Sequence, residues 1–392
     1  MNSRIARRMF WATFLFVAAD ASTALAQSFT CVANAAVPPS VRPEGRSELV
    51  ADVVLQCSGN APATGINATI TLFFNTDVTS RLLGGVSEAV LLIGEPAPAT
   101  QALGVNLFQA TISGPNSITF SNVPVVSAPG GNVASVLRII NVRLNATPFG
   151  GVLPTPLIGS ISTTLPLPNP TQTVAFVASP LAFSAAARCT AGTERTIDLR
   201  FSESFPTEFK LRGGDGQSTP GTFYNTESGF TPDPVIAGVG TADSGTRLSA
   251  LISGIASSTQ LSVPAVVTSG ALTITAVSPA GGGLVPIVGG TATIIYEVTA
   301  TTPLANEAVL VPVTVSGAVS GLTVKGNLAP ISTAQAASST EPIPRFADRG
   351  AVLAVAEACS TPVPTTNRYA LTAGILMLLV LGAACTRRFS RR

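Results

Sequence analysis

From Ser28 onward, apolar and polar residues alternate with a period of two. Between Glu48 and Cys57, Leu49, Ala51, Val53, Leu55 and Cys57 share one face, and Glu48, Asp52 and Gln56 share the other. This is the pattern of a strand with one side in a core. Phe29, Cys31 and Ala33 make a similar apolar face on a shorter stretch. The same alternation predicts strands over 66–75, 89–93, 105–112, 117–123, 135–145, 157–162 and 171–178. It continues over 195–201, 209–211, 247–255, 260–267, 272–277, 291–299 and 310–315. Turn clusters such as Ser113-Gly114-Pro115-Asn116 and Ala128-Pro129-Gly130-Gly131 separate most of them. Without a helical period in between, short strands at this spacing imply an all-β chain of two β-sandwich-like, immunoglobulin-like units.

The run Leu165-Pro166-Leu167-Pro168-Asn169-Pro170 is a stiff connection, since each proline fixes its own φ and removes a ladder donor. A boundary near Ser179-Pro180 follows, giving a first unit over 27–180 and a second over 181–325. Residues 326–366, rich in Ala, Ser, Thr and Pro, read as a tether. No fixed-period repeat is visible.

The two ends follow different rules. Residues 1–26 have the form of a signal peptide: basic Arg4, Arg7 and Arg8, an apolar run from Met9 to Ala19, and a small-residue end at Ala24-Leu25-Ala26. Arg7-Arg8-Met9-Phe10 also partly matches a twin-arginine export signal, so both export routes stay open. At the other end, residues 367–392 contain an uncharged 18-residue stretch from Tyr369 to Thr386, followed by Arg387, Arg388, Arg391 and Arg392. That is long enough for a transmembrane helix, with a basic stop that keeps the tail cytoplasmic before any processing.

Val363-Pro364-Thr365-Thr366-Asn367-Arg368-Tyr369-Ala370-Leu371 resembles the Ile-Pro-Thr-Leu type of C-terminal sorting signal, a relative of the exosortase (PEP-type) signals on Gram-negative surface proteins. Val363, Pro364, Thr365, Tyr369, Ala370 and Leu371 carry the resemblance; Thr366 stands where Leu is usual. The resemblance implies an envelope protein handled by a sorting transpeptidase. Three further segments, Arg42-Pro43-Glu44-Gly45, Ser228-Gly229-Phe230 with Gly240 to Arg247, and Pro342-Ile343-Pro344-Arg345-Phe346, together resemble a group of large secreted bacterial proteins without an assigned activity.

Composition sharpens this picture. Only 11% of residues are charged, against about 25% in an average soluble protein. The formal net charge of +2 comes from the ends: between Gln27 and Thr366 there are 14 basic and 19 acidic residues. A mildly acidic body argues against a nucleic-acid partner, which would require a basic face. Histidine is absent, which removes the commonest general base and metal ligand. No cofactor and no metal are expected. The exported body keeps Cys31, Cys57, Cys189 and Cys359, an even number that suggests disulfides in an oxidising compartment. Three pairings are open; Cys31–Cys57 is favoured because both lie on inward faces of neighbouring strands, which leaves Cys189 with Cys359.

Candidate chemistry is sparse. Asp243-Ser244-Gly245-Thr246 matches the tetrapeptide around an aspartic-protease carboxylate, but that reaction takes two such carboxylates and there is one copy. Asp198, Glu203 and Glu208 form the densest acidic group, read as a solvated face beside Arg195, Arg200, Lys210 and Arg212. The expected function is therefore non-catalytic: an exported, envelope-anchored surface protein with an adhesion, matrix or scaffold role, partnered by the membrane and by extracellular matrix. The alternative is a polysaccharide-binding module, and the third reading is a carboxylate-dependent hydrolase.

Overall fold

The computed structural model describes residues 28–355, apart from positions 61, 63, 127–131, 151–153, 190–194, 214–224, 233–234 and 318–320. The signal peptide, Cys359, the sorting motif Val363–Leu371, the apolar stretch and the basic stop lie outside the described residues. Among the described residues no helix is long and apolar enough to cross a membrane. Apart from two 3₁₀ turns at Pro98–Thr100 and Thr147–Phe149, the regular structure is β.

Two sandwiches account for it. In the first, one sheet runs in the order Thr30–Ala35, Val53–Asn60, Asn132–Ile140, Val90–Ile93, Leu107–Gln109. Its partner runs Thr111–Gly114, Ser117–Val126, Ile66–Phe74, Thr155–Thr163, Thr171–Val177, Ser40–Val41. The alternating residues of both sheets meet in one core: Leu55, Cys57, Leu137 and Ile139 from one side, Ile70, Leu72, Ile118 and Phe120 from the other. In the second sandwich the orders are Ala182–Cys189, Arg195–Ser202, Ala308–Ser316, Gln260–Val263, Gly283–Leu284, and Val266–Ser269, Leu272–Ser278, Thr291–Ala300, Arg247–Ser253, Thr323–Ala329, Val352–Ala354. Its core joins Ile197, Leu199, Val311 and Val313 to Leu248, Ile252, Ile294 and Val324.

The two sandwiches repeat one topology. Nine strands occupy the same places in the same chain order, and all their pairings are antiparallel. By that correspondence Thr323–Ala329 matches Thr155–Thr163, and Val352–Ala354 matches Thr171–Val177. The expected tether over 326–366 is thus corrected for its described part: the second sandwich ends near Ala354, not at 325. Composition misled there because Thr323–Ala329 carries Lys325, Gly326 and Asn327, and becomes a strand only by pairing along Arg247–Ser253.

Where the first sandwich has the short connections 61–65 and 164–170, the second has the long ones 203–246 and 330–351. Arg247 pairs with Ala329, so both long connections leave the sandwich at the same end. They pack against the first sandwich. Phe230 and Val239 cover Val90, Leu92 and Ile140 on the outer side of its sheet. This explains why Val90, Leu91 and Leu92 are all buried and read as an unbroken apolar run.

Edges are managed locally. The edge strand Thr30–Ala35 is bonded through Cys31–Cys57, whose residues stand directly opposite each other and deep in the core. The proline-rich connection covers its other side: Cys31 N–H donates to Pro166 O, Ala33 N–H donates to Asn169 Oδ1, and Asn169 Nδ2 donates to Ala33 O.

Candidate functional site

The most elaborate side-chain arrangement lies where the two long connections meet the first sandwich. Arg42, almost fully buried, is its centre. Nε donates to Glu48 Oε1 at 2.8 Å; Nη1 donates to Glu227 Oε1 at 2.7 Å, to Thr246 Oγ1 at 3.0 Å and to Glu208 O at 3.2 Å; Nη2 donates to Glu227 Oε2 at 3.0 Å. The guanidinium also lies 4.8 Å from the centre of the Phe346 ring, a cation–π contact. Thr246 Oγ1 is fully used: it donates to Glu227 Oε1 at 2.6 Å and accepts from Arg42 and from Lys210 N–H.

A second arginine ties the same groups to a neighbouring loop. Arg143 Nε donates to Glu88 Oε1 at 3.0 Å, Nη2 to Glu227 O at 2.7 Å and Nη1 to Ser47 O at 3.4 Å. Glu88 also accepts from Arg81 N–H and Gly240 N–H. Lys210 Nζ stands 3.9 Å from Glu48 Oε2. Three buried cations thus face three buried carboxylates, the condition under which charge is tolerated away from water.

The electrostatics follow from burial and pairing. Burial alone would weaken Arg42 as a cation, but the charges of Glu227 and Glu48, and their hydrogen bonds, outweigh it and hold it protonated. Burial would raise Glu227; Arg42 reverses that and its carboxyl is held below the usual range. Lys210 has weaker partners, and burial pushes its ammonium down.

Glu208 is fully buried with Ser204 N–H as its bonded donor, and burial drives its carboxyl well above the ordinary value. Glu203 is pushed by burial up to about 7, against the N–H groups of Phe209 and Glu307 that it accepts. The acidic group read as a solvated face is therefore corrected. Glu203 and Glu208 are buried acceptors of backbone N–H groups, and Asp198 is paired with Arg188. Glu48 and Asp52, placed on the solvent side of their strand by alternation, are buried as well. Glu48 lies under the connection that carries Lys210, and Asp52 is paired with Arg138 of its own sandwich.

The three familiar-looking segments converge here. Gly45 and Phe346 form an antiparallel bridge, Arg46 N–H donates to Arg345 O, and Ala347 N–H donates to Glu44 O. Asp243 N–H donates to Ile343 O, and Ile343 N–H returns a bond to Asp243 Oδ2. Asn141 makes two bonds to the Phe230 backbone, through Nδ2 to its O and through Oδ1 from its N–H. Two glycines are dictated by this packing. A Cβ on Gly45 would overlap the Glu48 carboxylate. At Gly240, which has φ of +71°, it would overlap the Phe230 carbonyl oxygen. Asp243 is ion-paired to Arg81, so the protease-like tetrapeptide is a hydrogen-bonded turn feeding the strand Arg247–Ser253.

Of the residues singled out in the sequence, the structure brings Cys31 and Cys57 together. Cys189 closes the edge strand Ala182–Cys189, and Cys359 lies outside the described residues. Arg42, Glu88, Arg143 and Glu227 were not distinguished as a group. Only Arg42 falls within the three familiar segments; Glu227 directly precedes one of them, and Glu88 and Arg143 lie outside all three. Among the described residues no cluster of His, Cys, Asp and Glu could hold a metal ion.

The chain is thus a pair of all-β sandwiches joined by a buried ionic seam. No family model and no curated protein matches it. Among solved structures it is similar to the C-terminal domain of the Streptococcus pyogenes antigen I/II-family protein AspA, at 7% identity and TM-score 0.33, over 83% of this chain and 99% of that one. It is also similar to the serine-rich repeat adhesion glycoprotein Srr1 of Streptococcus agalactiae, at 9% identity and TM-score 0.24, over 82% of this chain and 96% of that one. A third similarity is to the collagen adhesin of S. aureus, at 10% identity and TM-score 0.18, over 84% and 94%. At such scores the likeness transfers neither ligand nor mechanism.

Proposed function

We propose that this is an exported, non-catalytic surface protein, anchored at the envelope by residues 367–392, with an adhesion, matrix or scaffold role. The observation that supports it is the use made of the charged residues. Glu227 and Glu88 are buried and bonded where the two sandwiches meet, Asp243 joins the second to Arg81 of the first, and Glu203 and Glu208 are buried acceptors within the second. The outward faces also carry rows of bonded hydroxyls: Thr71 bonds Thr119, Thr119 bonds Ser113, and Ser113 bonds Ser117 on one sandwich, while Thr268 bonds Thr273 and Thr275 bonds Thr299 on the other. Such a body suits a passive load-bearing or contact role. Cys189 pairs with Cys359 in this proposal, and Val363 to Leu371 is the processing signal.

The polysaccharide reading is weakened at one residue: Tyr296 is buried, with its hydroxyl donating to Pro264 O, and so offers no stacking platform. The test is to fractionate cells carrying the full chain or a chain stopped at Ser360, and to map the mature C-terminus by mass spectrometry. Loss of the shortened chain from the envelope is the expected result. Equal retention of both would sink the anchoring proposal.

A further inference from the structure

One sheet of the first sandwich turns an uncharged face outward. Its six strands, Thr111–Gly114, Ser117–Val126, Ile66–Phe74, Thr155–Thr163, Thr171–Val177 and Ser40–Val41, contain no Asp, Glu, Lys or Arg. The corresponding sheet of the second sandwich carries Arg247, Glu297 and Lys325. Charge is what ordinarily keeps exposed protein surfaces apart. In its place, the register sets out two cross-strand rows. Thr119, Thr71 and Ser162 stand opposite one another in the first; Ser117, Phe73, Ser160 and Thr171 make the second. Thr71 is bonded to Thr119 at 2.9 Å, Thr119 to Ser113 at 3.0 Å, and Ser160 to Thr171 at 3.5 Å. Phe73 is 45% exposed, and Phe176, which stands opposite Pro156, is 39% exposed. Among the described residues these are the exposed phenylalanines, and both point outward from this sheet. Four positions along the strand and two strands across separate them, a distance of about 16 Å. The other sheet of the same sandwich, by contrast, has its outer side covered by Phe230 and Val239.

We propose that this face binds an uncharged, linear polysaccharide of flat pyranose rings, of the cellulose or chitin type, laid across Phe73 and Phe176. A pyranose ring has an apolar C–H face and a rim of hydroxyls. The two phenyl rings meet the first; serine and threonine hydroxyls, which both donate and accept, meet the second. A charged polymer finds no counter-charge on these strands, and a purely apolar partner would bury the hydroxyl rows without new hydrogen bonds. The separation of the rings is one that a polymer spans and a single sugar does not. An open sheet also suits a chain better than an enclosed small molecule. Phe73 and Phe176 thus offer the platforms that Tyr296 does not. The partner follows from the matrix-contact role proposed above, whereas the surface belongs to the folded body and not to the anchor.

The test is isothermal titration calorimetry of the full-length protein, in a detergent without a sugar headgroup, with cellohexaose, chitohexaose and their disaccharides. Saturable binding of at least one hexaose is expected, about tenfold or more tighter than its disaccharide, which reaches one ring only. Phe73→Ala and Phe176→Ala should each weaken it by about tenfold, the scale of one lost aromatic contact. Leu251→Ala, at an exposed position on the second sandwich, should change nothing. Should one phenylalanine variant fail to fold, the other carries the comparison. No saturable binding of either hexaose, equal affinity for hexaose and disaccharide, or unchanged affinity in the folded phenylalanine variants overturns the proposal. So does a preference for alginate, an anionic polymer, or a dimer that sedimentation shows falling apart in Phe73→Ala, which assigns the face to a second copy of this chain. Failure here with the full chain still retained at the envelope removes the sugar and leaves the anchoring role intact.

Discussion

Arg42 shows how a residue with an ordinary name becomes the centre of a fold. Its partners come from Glu48, six residues away, and from Glu208, Glu227 and Thr246, roughly two hundred residues on. Arg42→Ala would leave Glu227 and Glu48 buried without a counter-charge, and a loss of about 3–5 kcal/mol is expected from urea unfolding. Arg42→Lys should recover little of it, because an ammonium cannot reproduce the bidentate fork on Glu227. Glu203 makes the pH prediction at this scale. Its folded carboxyl titrates near 7, above its unfolded value, so the folded state holds the proton more tightly. The stability tied to that proton is full below the unfolded value, about 4.3. It is lost as pH rises to about 7 and beyond. Thermal unfolding across that range should therefore show a decline with rising pH that Glu203→Gln flattens.

At the scale of elements, the second sandwich differs from the first chiefly in two connections, and these make the junction. A chain stopped after Ala329 keeps Thr323–Ala329 but loses Val352–Ala354 and the Ile343, Arg345 and Phe346 contacts to Asp243, Arg46, Ser47 and Arg42. Limited proteolysis of that form should cut within 235–246, where the full chain is expected to resist because Asp243 is bonded to Ile343. The edge strands make a second prediction. Reducing Cys31–Cys57, 26 residues apart, should cost about 3.5 kcal/mol on the chain-entropy account. Under non-reducing conditions, peptide mapping should also find Cys189 joined to Cys359. Recovery of Cys189 as a free thiol in exported protein would remove that pairing. The proposal arises because Cys31 and Cys57 are already joined, which leaves Cys189 and Cys359 as the remaining cysteines of the exported body.

For the whole molecule, the seam predicts one cooperative unit made from two sandwiches. Arg42 reaches across it to Glu227, Arg143 to Glu227 O, and Lys210 stands by Glu48, while Arg42–Glu48 and Arg143–Glu88 pair on the first sandwich's own side, so opening it would leave Glu227 and Lys210 without those partners. Scanning calorimetry of the full chain is expected to give a single transition. The Ala329-stopped form should give two, since the clasp over residues 330–351 is gone. A double transition in the intact chain would contradict the seam as a lock.

The sequence alone carried the all-β class, most strand positions and the Cys31–Cys57 pairing, because each rests on local alternation: a strand with one wet face announces itself in its own residues. In it, the three segments that meet at the junction stood out only by their resemblance to segments of other secreted proteins. It could not show that Glu48, Asp52, Glu203 and Glu208 are buried, since alternation reports one face of a strand and says nothing about what covers the other. The repeated topology stayed hidden for a related reason: apolar residues of similar size interchange in a core, so two units can share an arrangement without sharing letters. The alanine-rich strand Ala182–Cys189 and the polar strand Thr323–Ala329 have weak intrinsic preference and were decided by the neighbours they pair with. Only the tertiary structure brings Arg42 to Glu227, because that contact depends on where two long connections come to rest.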